Sequence, residues 1–294
     1  MRHMKRGIVA LTSVLLISLT ACSGSGNTSP GTDSTTPATA KVPDSALVAP
    51  GVLTISTNAS QPPMQYVDNG NVVGMRIELG NKIAEELGLK PNIINIDFAS
   101  QIPGLSAGRW DMIDTGMYYS AERAEQITMV PYEVSAIAVS VAKGNPEHVN
   151  TLDHLAGKAI AAEQGATEFK TLQKISDQLV AKGLAPIAVT GFNDTASSYQ
   201  ALSAGQVQGV AAVQAVVQYY STKGQFDTAI TDISPVAVAL GFAKKNTVLA
   251  EAVSTVLAKL KESGWLGTLF DKYGLRAFPG EMKPTTGVIE VAPQ

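Results

Sequence analysis

VLTIST (52–57), followed by MRIELGNKIAEELG (75–88), puts two different periods into one short stretch of chain. The first is a run of apolar and β-branched residues of strand length. In the second, Met75, Leu79, Ile83 and Leu87 recur every fourth residue, one face of a helix, and Gly88 supplies the stop. The alternation continues outward. Residues 92–96, 110–115, 159–162 and 187–190 are further short apolar runs, while Leu249, Val253, Val256, Leu257 and Leu260 make a late helical face closed by Gly264. Strands alternating with helices imply an α/β fold around a parallel or mixed sheet. Ligands of such sheets gather in crevices beyond the carboxyl ends of the strands.

Before this body the chain has a different character. Arg2, Lys5 and Arg6 precede an apolar stretch that ends at Leu19, and Thr20, Ala21 and Cys22 form a small-residue exit. That is the layout of a secretory signal over residues 1–21. The apolar stretch is shorter than the roughly 20 residues a membrane helix needs. Cys22 is the only cysteine among 294 residues, so no disulfide is expected, and LTAC (19–22) resembles the lipobox of bacterial lipoproteins. The resemblance implies a lipidated Cys22 as the new N-terminus and acyl chains, palmitate among them, as the only membrane contact. Residues 22–49 are rich in Ser, Thr, Gly, Pro and Ala, a composition that cannot bury enough apolar surface to offset its ordering entropy. They read as a disordered spacer that holds an extracytoplasmic body near the membrane.

Composition narrows what that body does. The 22 basic against 25 acidic residues give a formal charge of −3, and removing the signal makes the remainder more acidic still. Nothing favours nucleic acid, which calls for a basic patch. Of three histidines, His3 lies in the signal, and His148 and His154 share one connecting stretch without CxxC or HExxH. No metal and no cofactor are expected. No GxSxG and no phosphate-cradling glycine loop is present, so an enzyme is the weaker class.

The pieces GVLTIST (51–57), PPMQY (62–66), VGMRIEL (73–79), IPGLSAGRWD (102–111), GMYYSAER (116–123), PY (131–132), LAGK (155–158) and LSAGQV (202–207) follow one another in a telling order. In that order the chain resembles the bacterial extracellular solute-binding proteins of family 3, which deliver amino acids and related solutes to an ABC permease and its ATPase. The resemblance implies a two-lobe periplasmic-binding-protein fold of type II, with the ligand held in a cleft between lobes joined by two hinge crossings. Lobe one would comprise residues 50–136 and 238–278, and lobe two residues 137–237. The crossings would pass near 134–138 and 236–240, and 279–294 would be a tail lying loosely on the surface. A monomer is the family's usual state.

The same resemblance implies the site. Arg123, in the family's Ser/Thr-x-x-Arg element, would take a ligand carboxylate, for which its planar fork is suited. Phe98 would cover the ligand side chain, and Gly116 would allow close approach of the ligand. Asn58, Tyr118, Glu163, Thr167 and Val213 occupy the remaining ligand-binding positions. Several depart from the family pattern. The Asp that usually receives an α-ammonium is Val213, the Thr that assists it is Tyr118, a common early Asp is Asn58, and a position that can be basic is Glu163. Burying an ammonium without an opposing charge is expensive. Two readings follow: Glu163, Glu168 or Asp194 supplies the negative charge from another wall, or the ligand lacks a free α-ammonium. An enzyme grown from this fold, of the cyclohexadienyl dehydratase kind, and a sensory lipoprotein without a transport partner are the alternatives.

Overall fold

The computed structural model describes residues 42–285 together with 289 and 291; the expected signal and Cys22 lie outside the described residues. The chain opens with β1 (Val52–Thr57) and a small antiparallel sheet of β2 (Ser60–Gln61), β3 (Gln65–Asp68) and β4 (Asn71–Val73). Then come α1 (Met75–Glu86), β5 (Lys90–Asn95), α2 (Gln101–Ser106), β6 (Met112–Ile113) and α3 (Ala121–Gln126). A long strand β7 (Ile127–Ala142) leads into β8 (Ala159–Glu163), α4 (Thr167–Ala181), β9 (Ala188–Phe192), α5 (Thr195–Ser203), β10 (Gly209–Val213) and α6 (Gln214–Thr222). A second long strand, β11 (Phe226–Ala243), returns to α7 (Thr247–Glu262), α8 (Trp265–Tyr273) and β12 (Arg276–Ala277).

The main sheet runs β5-β1-β6-β11-β7-β10-β8-β9, with β12 paired to β7. β5, β1 and β6 are mutually parallel and join the late part of β11, where Gly241 and Phe242 face Ile113 and Met112. β10 pairs antiparallel with residues 137–141 of β7 and parallel with β8, which pairs parallel with β9. Two parallel groups therefore hang from opposite ends of one antiparallel pair, β7 with β11. That pairing extends from Ile127↔Ala243 to Ala142↔Phe226, with register shifts near Thr228, Ile233 and Val238. The residues expected as crossings sit inside it, Ser135 opposite Val236 and Val134 opposite Ala237.

Local chemistry agrees with the early pattern. Met75, Leu79 and Ile83 are fully buried on α1, and Gly88 takes a positive φ directly after it. The α7 stripe of Leu249, Val253, Val256, Leu257 and Leu260 is buried as its spacing predicts. Both ends of the body differ from expectation. Val42 is buried, and the backbone N–H of Val48 donates to Asp111 Oδ1 at 2.7 Å, so packed structure begins inside the stretch read as spacer. After β12, Phe278 and Met282 are buried and the N–H of Thr285 donates to the Met129 carbonyl at 2.9 Å. This part of the tail is tied down by apolar side chains that its prolines concealed.

Gly74 precedes α1 with φ of +118°, and a Cβ there would lie 2.5 Å from the Met64 carbonyl oxygen. Gly88 has φ of +69° with open space around it. Gly88→Ala should cost about 1 kcal/mol, the left-handed backbone penalty alone. Gly74→Ala should lower the urea midpoint by clearly more, because the loop must also move; equal midpoints for the two variants would contradict this account.

Candidate functional site

Asn58, just past the end of β1, contacts Glu163 at the end of β8, so the carboxyl ends of the two parallel groups meet at a crevice. Arg123 enters it from the first turn of α3, a helix capped by Ser120, whose Oγ accepts the Arg123 backbone N–H at 3.2 Å. The guanidinium is half-buried. Its Nη1 donates to the Tyr118 carbonyl at 2.8 Å and to Thr167 Oγ1 at 3.2 Å, and Nη2 donates to the Gly165 carbonyl at 3.3 Å. Its Cζ lies 5.3 Å from the centre of the Phe98 ring, a cation–π contact. Arg123 thus spans from α3 to the start of α4. Ala166 at the N-cap of α4 offers no capping side chain, so the first-turn N–H groups other than that of Glu168, which its own carboxylate accepts, remain suited to an anion. A cavity of about 240 Å³ beside these groups is lined by Phe98, Ile102, Met117, Arg123 and Gly165, among others.

A second contact group crosses the same crevice. Glu163, the last residue of β8, is 4% exposed. Its Oε1 accepts from Asn58 Nδ2 at 2.5 Å, and its Oε2 from Gln61 Nε2 at 3.2 Å and Thr195 Oγ1 at 3.3 Å. Burial, with Glu168 and Asp194 nearby, pushes the Glu163 carboxyl up to about 8, against the pull of the Thr195 and Gln61 hydrogen bonds. Glu168, in the first turn of α4, is also buried and its carboxyl is raised, mainly by desolvation, while its own backbone N–H and Arg123 oppose the shift. Burial in turn lowers Arg123, which Glu168 and Glu122 hold up. Of these two buried acids, only Glu168 has the Arg123 guanidinium opposing its shift.

Of the expected residues, Phe98, Tyr118, Arg123 and Thr167 meet in the first group, and Asn58 and Glu163 in the second. Tyr118 is buried, and its hydroxyl donates to the Ala136 carbonyl at 2.9 Å. Val213, buried at the end of β10, pairs with the adjoining Ile137. This side of the crevice therefore presents a ring and an isopropyl group, with no charge. Gly116 has a reason internal to the fold: φ is +73°, and a Cβ would lie 3.0–3.2 Å from the Arg76 guanidinium. Asp194 caps α5, its Oδ1 accepting the Ser197 N–H at 2.6 Å. Gln61 and Thr195 were missed from the sequence. Each is a polar residue in or directly after a short strand or cap, a signal shared with many residues that touch nothing. Among the described residues no group of three or more His, Cys, Asp or Glu could hold a metal ion, and no helix is long and apolar enough to cross a membrane.

Residues 53–276 match the model of the bacterial extracellular solute-binding proteins, family 3. The chain belongs to this family. It is 25% identical over 230 residues to the ABC transporter arginine-binding protein 1 of Escherichia coli strain K12, covering 75% of this chain and 90% of that one. It is 23% identical over 227 residues to the L-cystine-binding protein TcyJ of the same strain, covering 76% and 82%. Among solved structures, an ancestral arginine-binding protein bound to arginine superimposes with a TM-score of 0.69 at 28% identity, covering 76% of this chain and 98% of that one.

An acid whose pKa is raised on folding stabilises the folded state below its unfolded value and loses that contribution as pH rises through the folded value. Glu163 therefore weakens the folded state progressively between about 4.5 and about 8, by roughly 1.4 kcal/mol for each pH unit of full linkage. In Glu163→Gln, the melting temperature relative to wild type should be nearly unchanged at pH 5 and should climb to its largest gain above pH 8. Parallel curves for the two proteins would remove Glu163 from this role.

Proposed function

We propose that this family member is the lipid-anchored receptor of an ABC importer for a small, amino-acid-like solute bearing a carboxylate. Two lobes, residues 50–136 with 238–278 and residues 137–237, would close on the solute about the β7–β11 pair. A ligand can shift such an equilibrium only by binding the closed form better. The observation that carries the reading is Arg123, stretched from α3 to the uncapped start of α4. A carboxylate arriving there would replace the Tyr118, Gly165 and Thr167 oxygens as acceptor of the guanidinium and would also meet the helix N–H groups. Phe98 would lie against the body of the solute.

The positive end of the solute is best received by Glu163 and Glu168. They are the acids buried in this crevice, while Tyr118 and Val213 occupy the side where the family usually binds an ammonium. The arginine- and cystine-binding relatives support an amino-acid-like ligand and a permease partner. They also support a binding role over a catalytic one. A short signal before Cys22 supports a lipid tether and an extracytoplasmic position.

A thermal-shift panel of amino acids, N-acylated derivatives, small carboxylates and amines tests this reading. A ligand at about 100 times its dissociation constant stabilises by roughly 2.7 kcal/mol. The panel should produce at least one hit that carries both a carboxylate and a cation, and Arg123→Ala should weaken that hit by on the order of 100-fold or more. Full affinity in Arg123→Ala would show that the carboxylate is held elsewhere. For the tether, Cys22→Ser should move the protein from the membrane fraction to the soluble one; continued membrane association would point to a different anchor.

A further inference from the structure

Behind Glu163 runs a line of side chains that solute binding leaves unexplained. Arg76, in the first turn of α1, is 1% exposed and lies between two buried acids. Its Nη2 donates to Glu133 Oε2 at 2.9 Å, and its Nε lies 3.7 Å from Asp114 Oδ1. Its Nη1 donates to Gln65 Oε1 at 3.4 Å. Gln65 Nε2 then donates to the Thr115 carbonyl at 3.2 Å and to Gln61 Oε1 at 3.3 Å. Gln61 Nε2 completes the line on Thr195 Oγ1 at 3.1 Å and on Glu163 Oε2.

The direction of this line follows from its first member. A guanidinium has donors and no acceptor, so only the oxygen of Gln65 can face it. The NH₂ of Gln65 is thereby turned to Gln61 and to the Thr115 carbonyl, itself an acceptor only. Gln61 must meet that donor with its oxygen, which leaves its own NH₂ for Glu163. A cation that never reaches the crevice thus dictates which atom the crevice acid meets. Nothing comparable holds the Asn58 amide on the other oxygen of Glu163. Asn58 is therefore the amide that can turn.

We propose that Arg76, through Gln65 and Gln61, is a positioning residue that keeps a donor fixed on Glu163 Oε2, so that any proton on this carboxyl resides on Oε1, against Asn58. The groups facing Glu163 are Asn58 and Gln61 on one side and Thr195, Asp194 and Glu168 on the other, and among the described residues no cation joins them. Burial favours the proton, and the relay decides where it sits. A cationic solute at Glu163 would then displace that proton. This consequence alone rests on the solute-cleft reading; the relay belongs to the unliganded chain and is tested there.

The test is NMR of the intact, unliganded chain with ¹⁵N-labelled glutamine, reading the cross-peak between the Gln61 side-chain NH₂ and the Thr195 methyl. Wild type should show it. Arg76→Lys, which keeps a donor-only cation, should retain it. Gln65→Glu, which still accepts from residue 76 but offers Gln61 no donor, should turn Gln61 around and abolish it. Should Gln65→Glu not fold, Gln65→Met takes its place, with the cross-peak reduced at least twofold because neither orientation is then imposed. A cross-peak missing from wild type, or equally strong in the Gln65 variants, overturns the relay. Neither result bears on whether a solute binds at Arg123, which the thermal-shift panel decides separately.

Discussion

The antiparallel pairing of Ile127–Ala142 with Phe226–Ala243 is the constraint on which everything else hangs. One parallel group of strands adds to the late part of β11 and the other to the late part of β7, so the two groups share no other strand pair. Nearly all of β7 is buried, whereas β11 is half-exposed through its middle and breaks register several times there. Bulges of this kind bend a strand and increase its local twist. Asp232 and Ser234 take positive φ in the same stretch, which places the irregularity where the two groups diverge. The ladder is continuous from end to end and carries its breaks in this one stretch.

Where Arg123, Glu163 and Glu168 gather, buried acids outnumber the cations near them. Arg123, Glu163 and Glu168 are drawn from water with few compensating charges, and an incomplete set of buried charges costs folding free energy. Such an arrangement makes sense where a charged guest completes it. The Arg76 cluster is a second case, in which one guanidinium serves two acids; burial pushes Asp114 up to about 7 even though Arg76 opposes the shift. Charges placed this way say little about stability. They fix orientation: a donor-only group at the base of a line of amides leaves each amide a single way to face.

Much of this was readable in advance where a single chain segment decides its own state. The four-residue spacing in α1 and the stripe of α7 needed no partner to be recognised, and the Ser/Thr-x-x-Arg element singled out Arg123, whose guanidinium reaches Thr167 and Gly165 at the start of α4. Reading failed where partners are distant in sequence. Gln61 and Thr195 meet Glu163 across separations of 102 and 32 residues. The prolines of 279–284 suggested a loose tail, although Met282 is buried and Thr285 is hydrogen-bonded to Met129.

What the sequence determined by itself is therefore the alternation of strands and helices and the family, because periodicity and short motifs are local properties. Tertiary structure alone decided that Gly116 lies against Arg76, that Glu163 meets Asn58, Gln61 and Thr195, and that Arg76 meets Gln65. Those outcomes depend on which donors meet which acceptors once water is excluded, and that matching exists only when distant segments are brought within hydrogen-bond reach.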